Sequence, residues 1–339
     1  MVTLDQIKQA QRNLAGVAAR TPLVRCPSPW GRESGEGSAP AGEELYLKLE
    51  SVQPIGSFKL RGAYNKIASL SDGERRRGVI SYSSGNHAQG VAYAARALGV
   101  KAVIVMPRYA PRIKVDSTAA LGAEIVFVGA ASVDRMQKAE ELAQLHGYCL
   151  VPPYNDEHII AGQGTTGLEI LEDCPEVDLI LAPVGGGGLI SGIASAVKLS
   201  HAKARVVGVE PELANDAQQS FRRGLIVQLP AERVSSTLAD GLRTQSVGSL
   251  NFEHMRRYVD DIVTVTEDEI RKATGQIVRE ARVVAEPSGA VAFAAWLFHR
   301  DELPAPRSKT VAVVSGGNIE PQLLAQILAE QAETQAAAK

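Results

Sequence analysis

Disulfide and zinc chemistry have almost nothing to draw on here. Cys26, Cys149 and Cys174 are scattered singles with no C-x-x-C spacing, so neither a disulfide framework nor a zinc site is supported, and a reducing cytoplasm suits the chain. No basic block appears. With 36 Lys and Arg against 38 Asp and Glu, the net charge is -2, which argues against a nucleic-acid or membrane-surface role and leaves small molecules as the expected partners. No run approaches the roughly 20 apolar residues of a membrane span, and the N-terminus lacks a signal peptide's apolar core. There is no short internal repeat.

What is present is a soluble globular pattern. At 339 residues, 45% hydrophobic and 22% charged, the chain can build one large α/β domain or two modest ones. Met1 to Gly16 reads as an amphipathic helix with Thr3 and Gln6 in capping-box positions, stopped by Thr21-Pro22-Leu23. Cys26 to Gly42, rich in Pro, Gly, Ser and Glu, is expected as an exposed, mobile loop. From Gly78 onward short apolar strands alternate with helices. Strands are expected at Val79–Tyr82, Ala102–Met106, Glu124–Val128, Leu179–Pro183, Arg205–Val209 and Thr310–Val314, and helices at His87–Leu98, Ile113–Leu121, Ser132–His146, Ile159–Glu172 and Leu189–Leu199. Such repeats predict parallel twisted sheets with helices on both faces. Thr266 with Glu269 and, further on, Ser288 read as helix starts. Residues 78–153 are expected as a small domain, 1–70 and 156–330 as a large discontinuous one, and 331–339 as a frayed polar tail.

One stretch organises the rest. Ser51-Val52-Gln53-Pro54-Ile55-Gly56-Ser57-Phe58-Lys59 follows the alternating strand Leu45 to Glu50, turns at Pro54 and Gly56, and offers Ser57 as N-cap of an apolar helix. A lysine at that opening would sit low in a cleft, where burial lowers its pKa and suits it to act as nucleophile and base. The plain alternative is a solvated surface lysine. Gly185-Gly186-Gly187-Gly188-Leu189 lies between a strand and a helix, where backbone N–H groups can cradle a phosphate. A dinucleotide site or an ordinary strand-to-helix turn competes for that run, and Glu210 at the end of the next strand keeps the former open. Ser83-Ser84-Gly85-Asn86-His87 could hold a carboxylate or simply cap a helix. His87, at a helix start, is expected neutral. Ser315-Gly316-Gly317-Asn318 makes a third loop at a strand's carboxyl end.

Together these residues resemble a known family. The lysine segment, the Ser83 to His87 loop, the glycine run and Ser315 to Asn318 are similar, in the expected order, to the motifs of the fold-type II pyridoxal-phosphate enzymes, specifically the serine/threonine dehydratases and serine racemases. The likeness covers roughly Thr3 to Leu328 and implies a two-domain, tryptophan synthase β-like architecture. It implies Lys59 as the Schiff-base lysine and α-proton base. It also implies Phe58 and Asn86 flanking the pyridoxal 5'-phosphate, Gly185, Gly186, Gly187, Gly188 and Leu189 on its phosphate, Ser315 at the pyridine nitrogen, and Gly241 and Glu286 lining it. Ser83, Ser84, Asn86 and His87 would hold the substrate carboxylate. From spacing alone Glu210 and Asp216 read first as a strand-end acid and a helix-capping aspartate; the resemblance instead implies that Glu210, the Ala214 carbonyl and Asp216 form a divalent-cation site suited to Mg²⁺, with Ca²⁺ or Mn²⁺ as alternatives.

The activity so implied is β-elimination of L-threonine or L-serine by a cytoplasmic homodimer. Pro153-Tyr154-Asn155-Asp156 looks more like the dehydratase form of that loop. Ser84 as an opposite-face base keeps a racemase, or a bifunctional enzyme, in play, and another β-hydroxy amino acid remains an alternative substrate. On its length, the chain is expected to lack a C-terminal regulatory domain. From a different class, a nicotinamide-dependent oxidoreductase would use the glycine run instead.

Overall fold

Strands buried on both faces need apolar side chains at every position, and the continuous runs of this sequence meet that demand by pairing side by side. The computed structural model describes residues 1–26, 42–108, 110, 112–129 and 132–337. The chain begins with α1 (Leu4–Leu14), β1 (Leu23–Arg25), β2 (Glu44–Leu49), α2 (Lys59–Ala68) and α3 (Asp72–Arg77). A compact succession follows: β3 (Val79–Tyr82), α4 (Asn86–Ala97), β4 (Ala102–Pro107), α5 (Arg112–Ala120), β5 (Glu124–Val128), α6 (Ser132–His146) and β6 (Cys149–Leu150). Then come α7 (Glu157–Asp173), β7 (Leu179–Pro183), α8 (Gly188–Leu199), β8 (Arg205–Pro211), α9 (Asp216–Arg223), α10 (Ala231–Ser235) and α11 (Ser249–Tyr258). The last part holds β9 (Asp261–Val265), α12 (Glu267–Gln276), α13 (Pro287–Phe298), β10 (Lys309–Val314) and α14 (Pro321–Ala337).

The strands form a six-stranded sheet in the order β1-β2-β10-β7-β8-β9 and a four-stranded sheet in the order β5-β4-β3-β6. Among the described residues every pairing is parallel except that of β1 with β2. Alternate side chains go to opposite faces. Leu179, Leu181, Val207, Val209, Ala312 and Val314 therefore pack with α13 on one side of the large sheet, while Ile180, Ala182, Val206, Val311 and Val313 pack with α8 on the other. In the smaller sheet Ile104 and Met106 lie with α4, and Val103 and Val105 with α6. Parallel order brings the loops after β2, β7 and β10 to one edge, the usual place for a ligand in such sheets.

Several local expectations change. The helix α1 ends at Leu14, well before Thr21-Pro22, although its Thr3 and Gln6 capping box is present, as is that of Thr266 and Glu269. The last helix continues to Ala337, into the stretch expected to fray. Apart from its end residues, the Cys26 to Gly42 tract lies outside the described residues. His254 is buried. It accepts the Val2 N–H at 2.9 Å through Nε2 and donates to the Leu250 carbonyl at 2.6 Å through Nδ1, which ties the N-terminal segment to α11 and fixes a neutral tautomer.

Helices α7 and α8 approach through glycine. A Cβ added at Gly192 would stand 2.5 Å from both the Gly164 nitrogen and the Ile160 carbonyl oxygen, backbone atoms that cannot swing aside. Gly192→Ala is expected to destabilise the fold by about 2–3 kcal/mol, seen as a lower urea midpoint at unchanged slope; an unchanged midpoint would show that the two helices can slide apart.

Candidate active site

The loop before Lys59 is tied to the end of β10 by its backbone. Ser57 bridges Gly316, and the Phe58 N–H donates to the Ser315 carbonyl at 3.1 Å. Ser57 thus serves as a strand-edge residue and not as the expected N-cap. The cap of α2 is Phe58, with no side-chain bond, and Ser57 Oγ is buried without a partner. At the start of α2 the Lys59 ammonium donates to the Pro153 carbonyl at 2.8 Å and lies 5.2 Å from the Phe58 ring centre. A single carbonyl and a ring face replace little of the water an ammonium loses. Although the residue as a whole is only part-buried, protein closes around the amine, and burial pushes its pKa down to about 8.

From β10 the contacts continue to the glycine run. Ser315 Oγ donates to the Ser288 carbonyl at 3.4 Å, and Ser288 Oγ accepts the Gly241 N–H at 2.8 Å. Ser288 is therefore a site-building residue inside α13 and not its cap, which is Glu286. Gly241 in turn packs on Gly185, whose added Cβ would lie 3.4 Å from the Gly241 carbonyl oxygen. The run then enters α8 through Gly187, which has φ +92° in the left-handed region. Tyr154 lies across the run: a Cβ on Gly186 would stand 2.3 Å from its ring. The first N–H groups of α8, those of Gly188 and Leu189 among them, have no acceptor within the helix and favour an anion.

On the facing side Asn86 Nδ2 donates to Glu286 Oε1 at 2.6 Å, while Asn86 Oδ1 accepts from Asn318 Nδ2 at 2.8 Å. A Cβ on Gly316 would lie 2.3 Å from Glu286 Oε1, so Asn86 and Glu286 meet over that glycine. Burial first, then the Asp240 charge, raises the Glu286 carboxyl to about 7, with the Asn86 amide pulling it back. His87 is buried and donates through Nε2 to the Val151 carbonyl at 3.0 Å. Burial and the neighbouring Lys59 charge push it to about 3, so its imidazole is neutral. Ser83 Oγ accepts the Gly85 N–H at 3.2 Å, Ser84 is partly exposed, and the cap of α4 is Gly85 without any side-chain bond. Neither serine is engaged as a helix cap.

The second constellation lies at the end of β8. Glu210 is fully buried and accepts the N–H groups of Ala217 and Gln218 at 3.0 and 2.7 Å. The helix-capping acid is therefore Glu210; Asp216 is the first residue of α9, buried, with neither carboxylate oxygen within hydrogen-bond distance of a partner, though the Thr244 hydroxyl and the Val247 N–H lie near enough to pull its pKa back in part. Ala214 is buried in the short turn Glu212–Ala214 between them. Burial raises both carboxyl groups, Asp216 to about 8, and the Asp216 charge adds to the rise at Glu210. Among the described residues no group of three or more His, Cys, Asp or Glu is placed to hold a metal ion.

Sequence reasoning names Pro153-Tyr154-Asn155-Asp156 only as a dehydratase-like loop and Ser288 only as a helix start, and gives none of them a contact with Lys59, Gly241 or the glycine run. The Pro-Pro-Tyr triplet after β6 is the available signal, but which glycine it covers is a matter of tertiary packing. In the ligand-free protein, the rate of Lys59 modification by an amine-selective reagent should rise tenfold per pH unit up to about pH 8 and level off, whereas surface lysines keep gaining reactivity toward about 10.4. Mass spectrometry of the modified peptides reads both. The same shift makes the fold gain stability as pH rises from about 8 to about 10.4, because the unfolded chain binds the extra proton there.

Comparison with known proteins agrees with this geometry. A family model described as pyridoxal-phosphate dependent enzyme matches residues 14–316. L-threonine ammonia-lyase of Thermotoga maritima is 46% identical over 330 residues, 97% of this chain and 78% of that protein. Among solved structures, a threonine deaminase from T.th. superimposes with a TM-score of 0.85 at 41% identity, covering 94% of this chain and 99% of the other. Maize serine racemase does so with a TM-score of 0.89 at 36% identity, covering 99% of each. The nicotinamide alternative for the glycine run loses its footing, and the chain belongs to the pyridoxal-phosphate-dependent enzyme family, with the fold-type II architecture.

Proposed function

We propose that this chain eliminates the β-hydroxyl of L-threonine and L-serine as water, and that the dehydrated amino acid then takes up water to release 2-oxobutyrate or pyruvate and ammonia, with pyridoxal 5'-phosphate as cofactor. The observation that carries the reading is the Lys59 amine, held by one carbonyl with its pKa pushed down to about 8, in a chain whose relatives are named for threonine. The residues fit the cofactor. At Gly186 and Gly316 the space a Cβ would take is filled by the Tyr154 ring and Glu286 Oε1, so bare backbone lets these two groups close in on the glycine run and the end of β10. Backbone N–H groups from Gly185 to Leu189 would hold the phosphate, Phe58 and Asn86 would flank the ring, and Ser315, Gly241 and Glu286 would line it. When bound, the cofactor supplies an electron sink for negative charge developing at the substrate α-carbon.

The chain's own groups orient the substrate and take its α-proton. Lys59 as a free amine takes the α-proton, which its lowered pKa permits near neutral pH. Ser83, Ser84, Asn86 and His87 would orient the substrate carboxylate, with His87 neutral and fixed by Val151. Ser315 carries no charge and so imposes no proton on a ring nitrogen. A second reading, racemisation alone or beside elimination, rests on Ser84, a partly exposed hydroxyl on a different loop from Lys59; the likeness to a solved serine racemase supports it.

For Glu210, the Ala214 carbonyl and Asp216 we propose a divalent cation, Mg²⁺ first, with Ca²⁺ or Mn²⁺ as alternatives. The two unpartnered oxygens of Asp216, buried beside a second carboxylate, are what such an ion would satisfy. We also take residues 1–70 with 156–330 as the large domain and 78–153 as the small one, in a homodimer. The three free cysteines suit a reducing cytoplasm, and among the described residues no helix is long and apolar enough to cross a membrane.

Lys59→Ala should lower 2-oxoacid release from L-threonine by at least about 10³-fold, measured in a coupled assay alongside the enantiomer composition of residual L-serine. Rapid D-serine accumulation would reverse the order of the two readings. Free Mg²⁺ at roughly 100 times its Kd should add about 2.7 kcal/mol of stability, and Asp216→Asn should abolish that response; a melting temperature indifferent to chelation would remove the cation.

A further inference from the structure

Two residues past Lys59 a second cation points the other way. Arg61 is 1% exposed and grips two carboxylates edge-on. Its Nε and Nη2 donate to Glu50 Oε2 and Oε1, both at 2.8 Å. Nη1 and Nη2 donate to Glu169 Oε1 and Oε2 at 2.6 and 2.8 Å. The remaining capacity goes to Thr165 Oγ1 at 3.0 Å and the Ala19 carbonyl at 3.3 Å. Lys48 balances the charge through Glu169 at 2.6 Å, and the Thr21 hydroxyl donates to Glu50 at 2.6 Å. All of these charged groups are buried.

A buried ion cluster is a weak source of stability, since desolvation offsets attraction. What a planar guanidinium in two bidentate pairs does supply is direction. Residues i and i+2 do not share a helix face, so Lys59 reaches Pro153 while Arg61 reaches the turn after β2 and the side of α7. Sideways movement of α2 is already blocked: added Cβ atoms on Gly162 and Gly90 would stand 2.6 Å from the Arg61 carbonyl oxygen and 3.1 Å from that of Lys59. Rotation about the helix axis remains. Turning α2 by about 10° would carry an amine roughly 8 Å off the axis by about 1.4 Å, and misplacement near 1 Å costs about 100-fold in rate.

We propose that Arg61 is a positioning residue for Lys59: clamped between Glu50 and Glu169, its guanidinium sets the rotation of α2 and so the place of Lys59 Nζ against Pro153. The proposal rests on Lys59 being the reactive amine. Arg61→Lys keeps the charge but cannot form two bidentate pairs. Per folded, cofactor-saturated molecule, kcat should fall roughly 30- to 100-fold with KM within about threefold. In the cofactor-free protein, the pH midpoint of Lys59 modification should move away from that of the parent. Lys48→Met opens the same cluster without touching α2; it should melt earlier yet keep both values. Parent-like kcat and midpoint in Arg61→Lys, or equal changes in Lys48→Met, would overturn the proposal. Should Arg61→Lys not fold, Glu169→Gln decides by the same two readouts: a lower kcat at unchanged KM with a moved midpoint supports positioning, and parent-like values refute it. Lys59→Ala in parallel separates the two ideas, because retained activity there would sink the reading of Lys59 itself.

Discussion

The hydrogen bond from the Phe58 N–H to the Ser315 carbonyl is the constraint on which the site depends. It joins backbone to backbone, so no side-chain rotamer can loosen it. Its net energy is only about 1 kcal/mol. With the Ser57 to Gly316 bridge beside it, however, it sets the start of α2 against the end of β10, and the placement of Lys59 relative to Ser315, Ser288 and Gly241 follows. A chain with the same residues but a different seam between these two segments would have its lysine in another place.

Around that seam the protein treats charge in two opposite ways. The site itself holds charge low: Lys59 has a lone carbonyl for company, His87 is neutral, and Glu286 is raised to about 7. On the opposite face of α2, Arg61 is buried with Lys48, Glu50 and Glu169 as a fully paired set. Pairing holds Arg61 above its ordinary range against the desolvation it suffers, whereas Lys59, desolvated without an anion, moves down. The same burial therefore leaves one cation held in its charged form and one amine that gives up its proton more readily on the same short helix.

Much of this is legible in the residues alone, and the exceptions share a cause. The strands of both sheets stand out because burial on two faces demands unbroken apolar runs such as Leu179–Pro183. The boxes at Thr3 and Thr266 are readable because their partners lie three residues away. Ser57 and Ser288 carry the same local signal and go elsewhere, one to the edge of β10 and the other to Gly241, since partners far along the chain outcompete the nearby helix. His254 is unreadable for that reason too: its ring meets the amide of Val2. Arg61 cannot be told from a surface arginine until Glu50 and Glu169 are seen on either side. The loops suited to chemistry can be named from sequence, but the order in which they touch cannot.

The large sheet places β2 directly beside β10, pairing Glu44 with Lys309 and Leu49 with Val314. On the ribosome, β3 to β6 emerge as one continuous block and can close their sheet early. β2 meanwhile waits with an edge unpaired until nearly the whole polypeptide has been made. Because loop closure over such a span must precede its reward, the seam that fixes the place of Lys59 closes only once β10 has been made.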